Sequence, residues 1–219
     1  MDLMTAGYFS ESLRLARHTV ERDPLAANAQ LNLHFALYAS GHKNESLSSL
    51  ELADELGSIF SKVALAFFHH NEQHYELSIG YFETYLRERE LPDDWVRSFR
   101  VSASDPVTGQ AYLDRRIPEL LASVPEERAF EFEQMLYGSY LNNGFLDRYF
   151  ELIFELGVSA HAWGDTETLI ANAVLDRDSG FTAHPKFLEV AEKMAFFELW
   201  DHRGPPDFCE KTSGKWVCE

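Results

Sequence analysis

The sequence predicts an all-α fold: an α-solenoid of antiparallel helix pairs with an irregular C-terminal cap. Three observations carry this expectation. Apolar residues recur at helical spacing through residues 1–90. Glycines punctuate the runs at Gly7, Gly41, Gly57 and Gly144, where a helix would stop. Residues 6–24, "AGYFSESLRLARHTVERDP", are echoed 34 residues later, from Gly41, by "GHKNESLSSLELADELGS". Helix pairs at such a period cannot bury their apolar faces singly and stack on their neighbours.

The elements follow in order. Leu13, Ala16 and Val20 share one face of a first helix, which Asp23-Pro24 closes because the residue before proline resists helical backbone. A second helix carries Leu31, Phe35 and Tyr38, with Leu33 and Leu37 beside them, and ends at Gly41. A third spans 44–56, with Asn44 as its cap and Gly57 as its stop. Residues 59–70 and 74–90 complete the regular part. Beyond residue 90 the periodicity blurs. A helix over 91–104 is entered through Pro92 and Asp93, and one over 105–124 is broken or kinked at Pro118. Residues 125–144 and 145–157 form a degenerate pair about Gly144, and 158–180 hold an irregular link and a helix. A helix from 185 to about 200 leads into an irregular tail. One continuous domain is expected: repeats over 1–90, degenerate repeats over 91–180 and a cap over 181–219.

The spacing resembles the tetratricopeptide repeat, a helix pair with glycine at its turn and often proline at its end. Gly7, Tyr8 and Pro24 supply one instance; Gly41 and Gly57 supply the next, and Gln73 with Tyr75 stands at a third turn. The small residues expected inside the second helix are Ser12, Ser46 and Ser78, while the usual tryptophan of the first helix is missing. The resemblance implies a right-handed solenoid and an interaction function. Only "MDLMTA" precedes the Gly7 turn, which reads as the end of a helix whose beginning is absent. The expectation is a C-terminal piece of a longer protein, or a partner over an uncovered N-terminal end, with homo-oligomer pairing as one outcome.

The last stretch has its own resemblance. Pro185, Phe187, Trp200, Gly204, Pro205, Pro206, Cys209, Trp216 and Cys218 are similar in pattern to the C-terminus of tetratricopeptide-like regions in bacterial multidomain signalling proteins. There such a region follows a winged-helix regulator with a membrane helix or a class III cyclase domain. It implies a sensing or partner-binding region, cytoplasmic, or periplasmic in a membrane-anchored regulator.

Composition narrows the partners. Asp and Glu outnumber Lys and Arg by 36 to 19, for a formal charge of −17, whereas a protein that neutralises phosphates needs the opposite balance. Direct nucleic-acid contact is not expected. No run approaches about 18 apolar residues, so no membrane insertion is expected, and the opening residues lack a signal-peptide pattern.

No catalytic constellation is legible, and neither a cofactor nor a metal is expected. His69, His70 and His74 include an i, i+4 pair, but a turn falls among them and no general-base Glu stands between, so they read as exposed turn residues. The acid pairs at 54–55, 93–94 and 126–127 suit helix ends. Cys209 and Cys218, nine positions apart, are either a disulfide or two reduced thiols packed under the last helix.

The first helix of each pair lines the concave face of such a stack. The expected partner groove is therefore Asn28, Leu31, Asn32, Phe35 and Tyr38, continued by Phe60, Val63, Phe67 and His70. It would take an extended peptide or a helix of another protein. The alternative function is a small-molecule sensor with a pocket between the repeats and the cap, lined by Trp163, Trp200 and Trp216.

Overall fold

Among the described residues, one backbone corner that leads straight into the next helix is built four times, and Gly57 closes the helix before it with the same two hydrogen bonds. In the computed structural model, Gly7, Gly41, Gln73 and Gly144 all take positive φ, between +61° and +88°. At each, two hydrogen bonds close the preceding helical turn: Gly41 N–H donates to Tyr38 O and His42 N–H to Leu37 O. Residues 7 and 8, 73 and 74, and 144 and 145 repeat that pairing. This is the Schellman ending, whose left-handed residue glycine adopts without a Cβ penalty. The residue after each corner then opens the next helix with nearly the same dihedrals, φ near −88° and ψ near 58° at His42 and His74.

The structure describes residues 3–90, 106–124, 137–141, 143–157, 170, 173–174 and 179–219. Among them the helices are α1 (Phe9–Arg22), α2 (Ala27–Ala39), α3 (Lys43–Glu55), α4 (Ser61–Asn71), α5 (Tyr75–Glu88), α6 (Pro106–Leu121), α7 (Leu146–Leu156), α8 (Phe187–Lys193) and α9 (Phe196–Arg203). Residues 137–141 are also helical. Each of α1 to α4 packs on the next in sequence. The molecule is thus mostly helical, with neighbouring helix pairs packed together.

Several boundaries differ from expectation. Asn44 lies inside the first turn of α3, and His42 stands at the N-cap position. Pro118 does not break α6, which runs on to Leu121 because the proline sits near the end, where only one ladder bond is lost. The expected helix over 185–200 is two helices, parted where Ala195 takes φ +59°. The tail is not irregular. Strands β1 (Cys209–Thr212) and β2 (Lys215–Cys218) pair antiparallel, so the chain is not wholly α. Ser213 and Gly214, at φ +52° and +80°, make the two-residue hairpin turn whose twist matches the strands.

Small residues set how closely the helices approach. Ser46 of α3 is fully buried against α2, where His34 Nδ1 lies 2.8 Å from its Oγ and 3.2 Å from its carbonyl oxygen. Ser49 Oγ donates to Gln30 Oε1 at 3.4 Å one turn further on. Leu31, Leu50, Ala53, Leu65 and Phe68 form an apolar cluster among α2, α3 and α4.

The principal core joins the two ends of the chain. It runs from Ala6 and Phe9 through Phe82, Leu113, Tyr149 and Phe150 to Trp200, Phe208 and Trp216. Trp200 Nε1–H donates to Ala6 O at 3.0 Å, Tyr8 O–H to Gly204 O at 2.9 Å, and Asp207 N–H to Gly7 O at 2.9 Å. The Asp207 carboxylate accepts from Ser10 N–H at 2.7 Å, serving the exposed amides at the start of α1 from 197 residues away. Arg203 pairs with Glu11 at 2.6 Å. The Gly7 corner is therefore covered by the chain's own C-terminal cap.

Cys209 and Cys218 are bonded. They face each other across the hairpin with Cα atoms 4.0 Å apart, at a position flanked by the Glu219 N–H to Phe208 O bond, where antiparallel strands come closest. Thiol titration of the purified chain in denaturant without reductant should find no free thiol, and two after reduction. Reduction should cost roughly 2–3 kcal/mol of stability, read by denaturant melts with and without dithiol.

Candidate partner-binding surface

The nine residues expected to line a groove fall into three groups. Asn28, Asn32 and Phe60 are exposed. Phe35, Tyr38, Val63 and Phe67 are half-buried. Leu31 and His70 are buried, which corrects their expected place on an open face. Leu31 belongs to the cluster between α2, α3 and α4. His70 sits edge-on to Tyr75, ring centroids 5.3 Å apart.

The half-buried members are held by this chain. Phe35, Val63 and Phe67 pack against the principal core, and the backbone at Gly138 passes so close that a Cβ there would lie 3.7 Å from Phe67 Cζ. Tyr38 packs edge-on to Phe68 at 5.7 Å and accepts a hydrogen bond from Asn71 Nδ2 at 3.2 Å. Much of the anticipated concave face is thus filled from within, and what remains open on α2 is its start, at Asn28 and Asn32.

An opening does exist beside those asparagines. A cavity of about 260 Å³ is lined by Leu3, Met4, Ser12, Leu15, Ala16, Thr19, Ala29 and Asn32. It lies between α1, α2 and the short turn before Gly7. The sequence signal for it was present: Leu15 and Thr19 continue the Ser12 face of α1.

Two of the three tryptophans expected to line a sensor pocket are packed in the core. Trp200 and Trp216 are buried against each other, centroids 5.1 Å apart, with Phe208 and Phe197 around them. Trp163 lies outside the described residues, as do the acid pairs at 93–94 and 126–127. Asp54 of the remaining pair accepts from Ser61 Oγ at 2.5 Å and from Lys62 Nζ at 3.0 Å, which fixes the α3–α4 turn.

The histidines are not a turn-tip cluster. His69 and His70 are buried and only His74 is exposed. His69 stacks on Tyr81 at 5.5 Å, and burial, then the neighbouring His74, lowers its pKa. Among the described residues no group of three or more His, Cys, Asp or Glu is placed to hold a metal ion, and no helix is long and apolar enough to cross a membrane.

One further polar network stands between α6, residues 137–141 and α7. Tyr140 O–H donates to Asp114 Oδ1 at 2.7 Å, and Arg148 Nε–H donates to the same oxygen at 3.2 Å. Arg148 also reaches Glu155 at 3.1 Å. Burial first, then the Asp114 contact, raises the Tyr140 pKa, so the phenol stays protonated and serves as a donor. The network ties three elements together and has the form of a structural clasp. No family model, curated protein or solved structure matches the chain.

Proposed function

We propose that this chain is a non-catalytic interaction module, a tetratricopeptide-like right-handed stack of helix pairs that binds a segment of another protein. The observation that supports it most is the fourfold recurrence of one corner, at Gly7, Gly41, Gln73 and Gly144, with matched hydrogen bonds. Repeating units of this kind build extended surfaces rather than single concave reaction centres. The C-terminal pattern from Pro185 to Cys218 supports a place in a bacterial signalling or regulatory protein, where such a module couples binding to an effector.

The test is a helical-peptide array probed with the full chain, run beside a thermal-shift panel of small metabolites. Sequence-selective capture of peptides with a flat metabolite panel is expected. A metabolite that raises the melting temperature by several degrees, with no peptide captured, would overturn the reading in favour of a sensor.

A further inference from the structure

Segment 209–219 touches the body of the molecule at few points. Among the described residues, its ring contacts, ion pair and hydrogen bonds beyond its own flank go to α9 and to Thr182. Trp216 packs on Trp200 and Phe197, ring centroids 5.1 and 6.5 Å apart. Lys211 pairs with Asp201, and Thr182 Oγ–H donates to the Glu219 carbonyl oxygen. The bonds that close the cap over the Gly7 corner come instead from Trp200, Arg203, Gly204 and Asp207, all outside the hairpin.

Little else holds the hairpin closed. Of its eight strand residues only Cys209 and Trp216 are buried. Two strands of four residues are marginal in water without further support. Ser213 adds a cost, since its left-handed backbone at φ +52° is disfavoured by a side chain. The Cys209–Cys218 bond supplies the support by tying together the two strands at the end away from the turn, across nine positions of sequence. Cys218 is half-buried, so this bond stands at the surface. Beneath the hairpin lie Trp200, 1% exposed, and the half-buried Phe197.

We propose that segment 209–219 is a redox-sensitive lid over the aromatic face of α9, latched by the Cys209–Cys218 bond. A dithiol opens the latch in two exchange steps. Its thiolate attacks Cys218 Sγ, forming a mixed disulfide and releasing Cys209 as a thiolate that takes up a proton. The reductant's second thiol then attacks the reductant sulfur of that mixed disulfide, closing its own disulfide and freeing Cys218. The protein gains two electrons and two protons. Without the crosslink the open hairpin recovers its loop entropy, so the lid's opening equilibrium rises about 100-fold. The cap bonds from Trp200 to Asp207 stay in place, and the surface uncovered is Trp200 with Phe197. The lid is independent of the interaction-module reading.

Native-state hydrogen exchange on the full chain, with and without dithiothreitol, tests this. The amides of Glu210 and Val217 face each other two positions in from the Glu219 N–H to Phe208 O bond, and so bond across the strands. On reduction they should exchange about 100-fold faster. The rate should be insensitive to low urea, while amides of α2 and α3 keep higher protection. A chain carrying Cys209→Ser and Cys218→Ser should show the same fast exchange with no dithiol and be indifferent to its addition. Hairpin amides unchanged by reduction would overturn the lid. So would hairpin amides that exchange only together with those of α2 and α3, with the same urea dependence. Loss of the helical circular-dichroism signal on reduction, or in the substituted chain, would also overturn it, because the hairpin would then be holding the fold together instead of covering one face of it.

Discussion

Gly7→Ala should destabilise the fold by about 2–5 kcal/mol, the largest loss expected from removing so small a difference. Two costs add. The backbone stands at φ +88°, where a Cβ is unfavourable by about 1–2 kcal/mol. The new methyl would also enter the ring of Phe208, whose Cζ would be 2.8 Å away. That ring has nowhere to move, because it is 4% exposed and packed by Phe9, Phe187 and Trp200. Gly41→Ala is the control: φ is +80° but nothing lies within 4 Å, so only the backbone cost of about 1–2 kcal/mol applies. Thermal melts at about 2–4 °C per kcal/mol would separate them. In a Phe208→Ala background the Gly7 substitution should fall to the Gly41 value; an undiminished effect there would refute the contact as its cause.

Acidification should weaken the stack through His34. The imidazole is 4% exposed between α2 and α3, and burial lowers its pKa to about 4, against the partly opposing hydrogen bond with Ser46. The folded chain therefore holds His34 neutral where the unfolded chain, with a pKa near 6.5, is already protonated. Stability associated with this residue is fully present above about pH 6.5 and is lost as pH falls toward 4. The loss amounts to about 3 kcal/mol. His34→Gln keeps polar atoms beside Ser46 and removes the titration. Urea melts from pH 7 to pH 4 should show the wild-type chain losing that increment relative to the variant, and parallel curves would contradict the assignment.

The corners were legible because their chemistry is local. A helix that ends in left-handed backbone selects glycine, so Gly7, Gly41, Gly57 and Gly144 announced the hairpins, and Gln73 could be placed by spacing alone. Ser12, Ser46 and Ser78 likewise marked where helices come close. Burial within α2 and α4 was less legible. Each lies between two other helices, so Leu31 and His70 face packed neighbours on a side that a single amphipathic stripe assigns to solvent. The hairpin at 209–218 escaped because four-residue strands are too short to establish alternation, although Ser213-Gly214 is a recognised turn pair. Nothing local could reveal that Asp207 serves Ser10 or that Trp200 closes over Ala6, since those pairings depend on how the whole chain curves.

That closure has a consequence for biogenesis. The helix α1 and the corner before it obtain their amide acceptor and aromatic lid only from Trp200, Asp207 and Phe208, nearly 200 positions further along. Until these emerge, Phe9 and the Gly7 corner have no cover, whereas the pairing of α2 with α3 can form at once from neighbours in the sequence. Contacts that close loops of nearly 200 residues must be paid for in chain entropy before they return any enthalpy, which places the docking of the hairpin after the pairing of sequence neighbours.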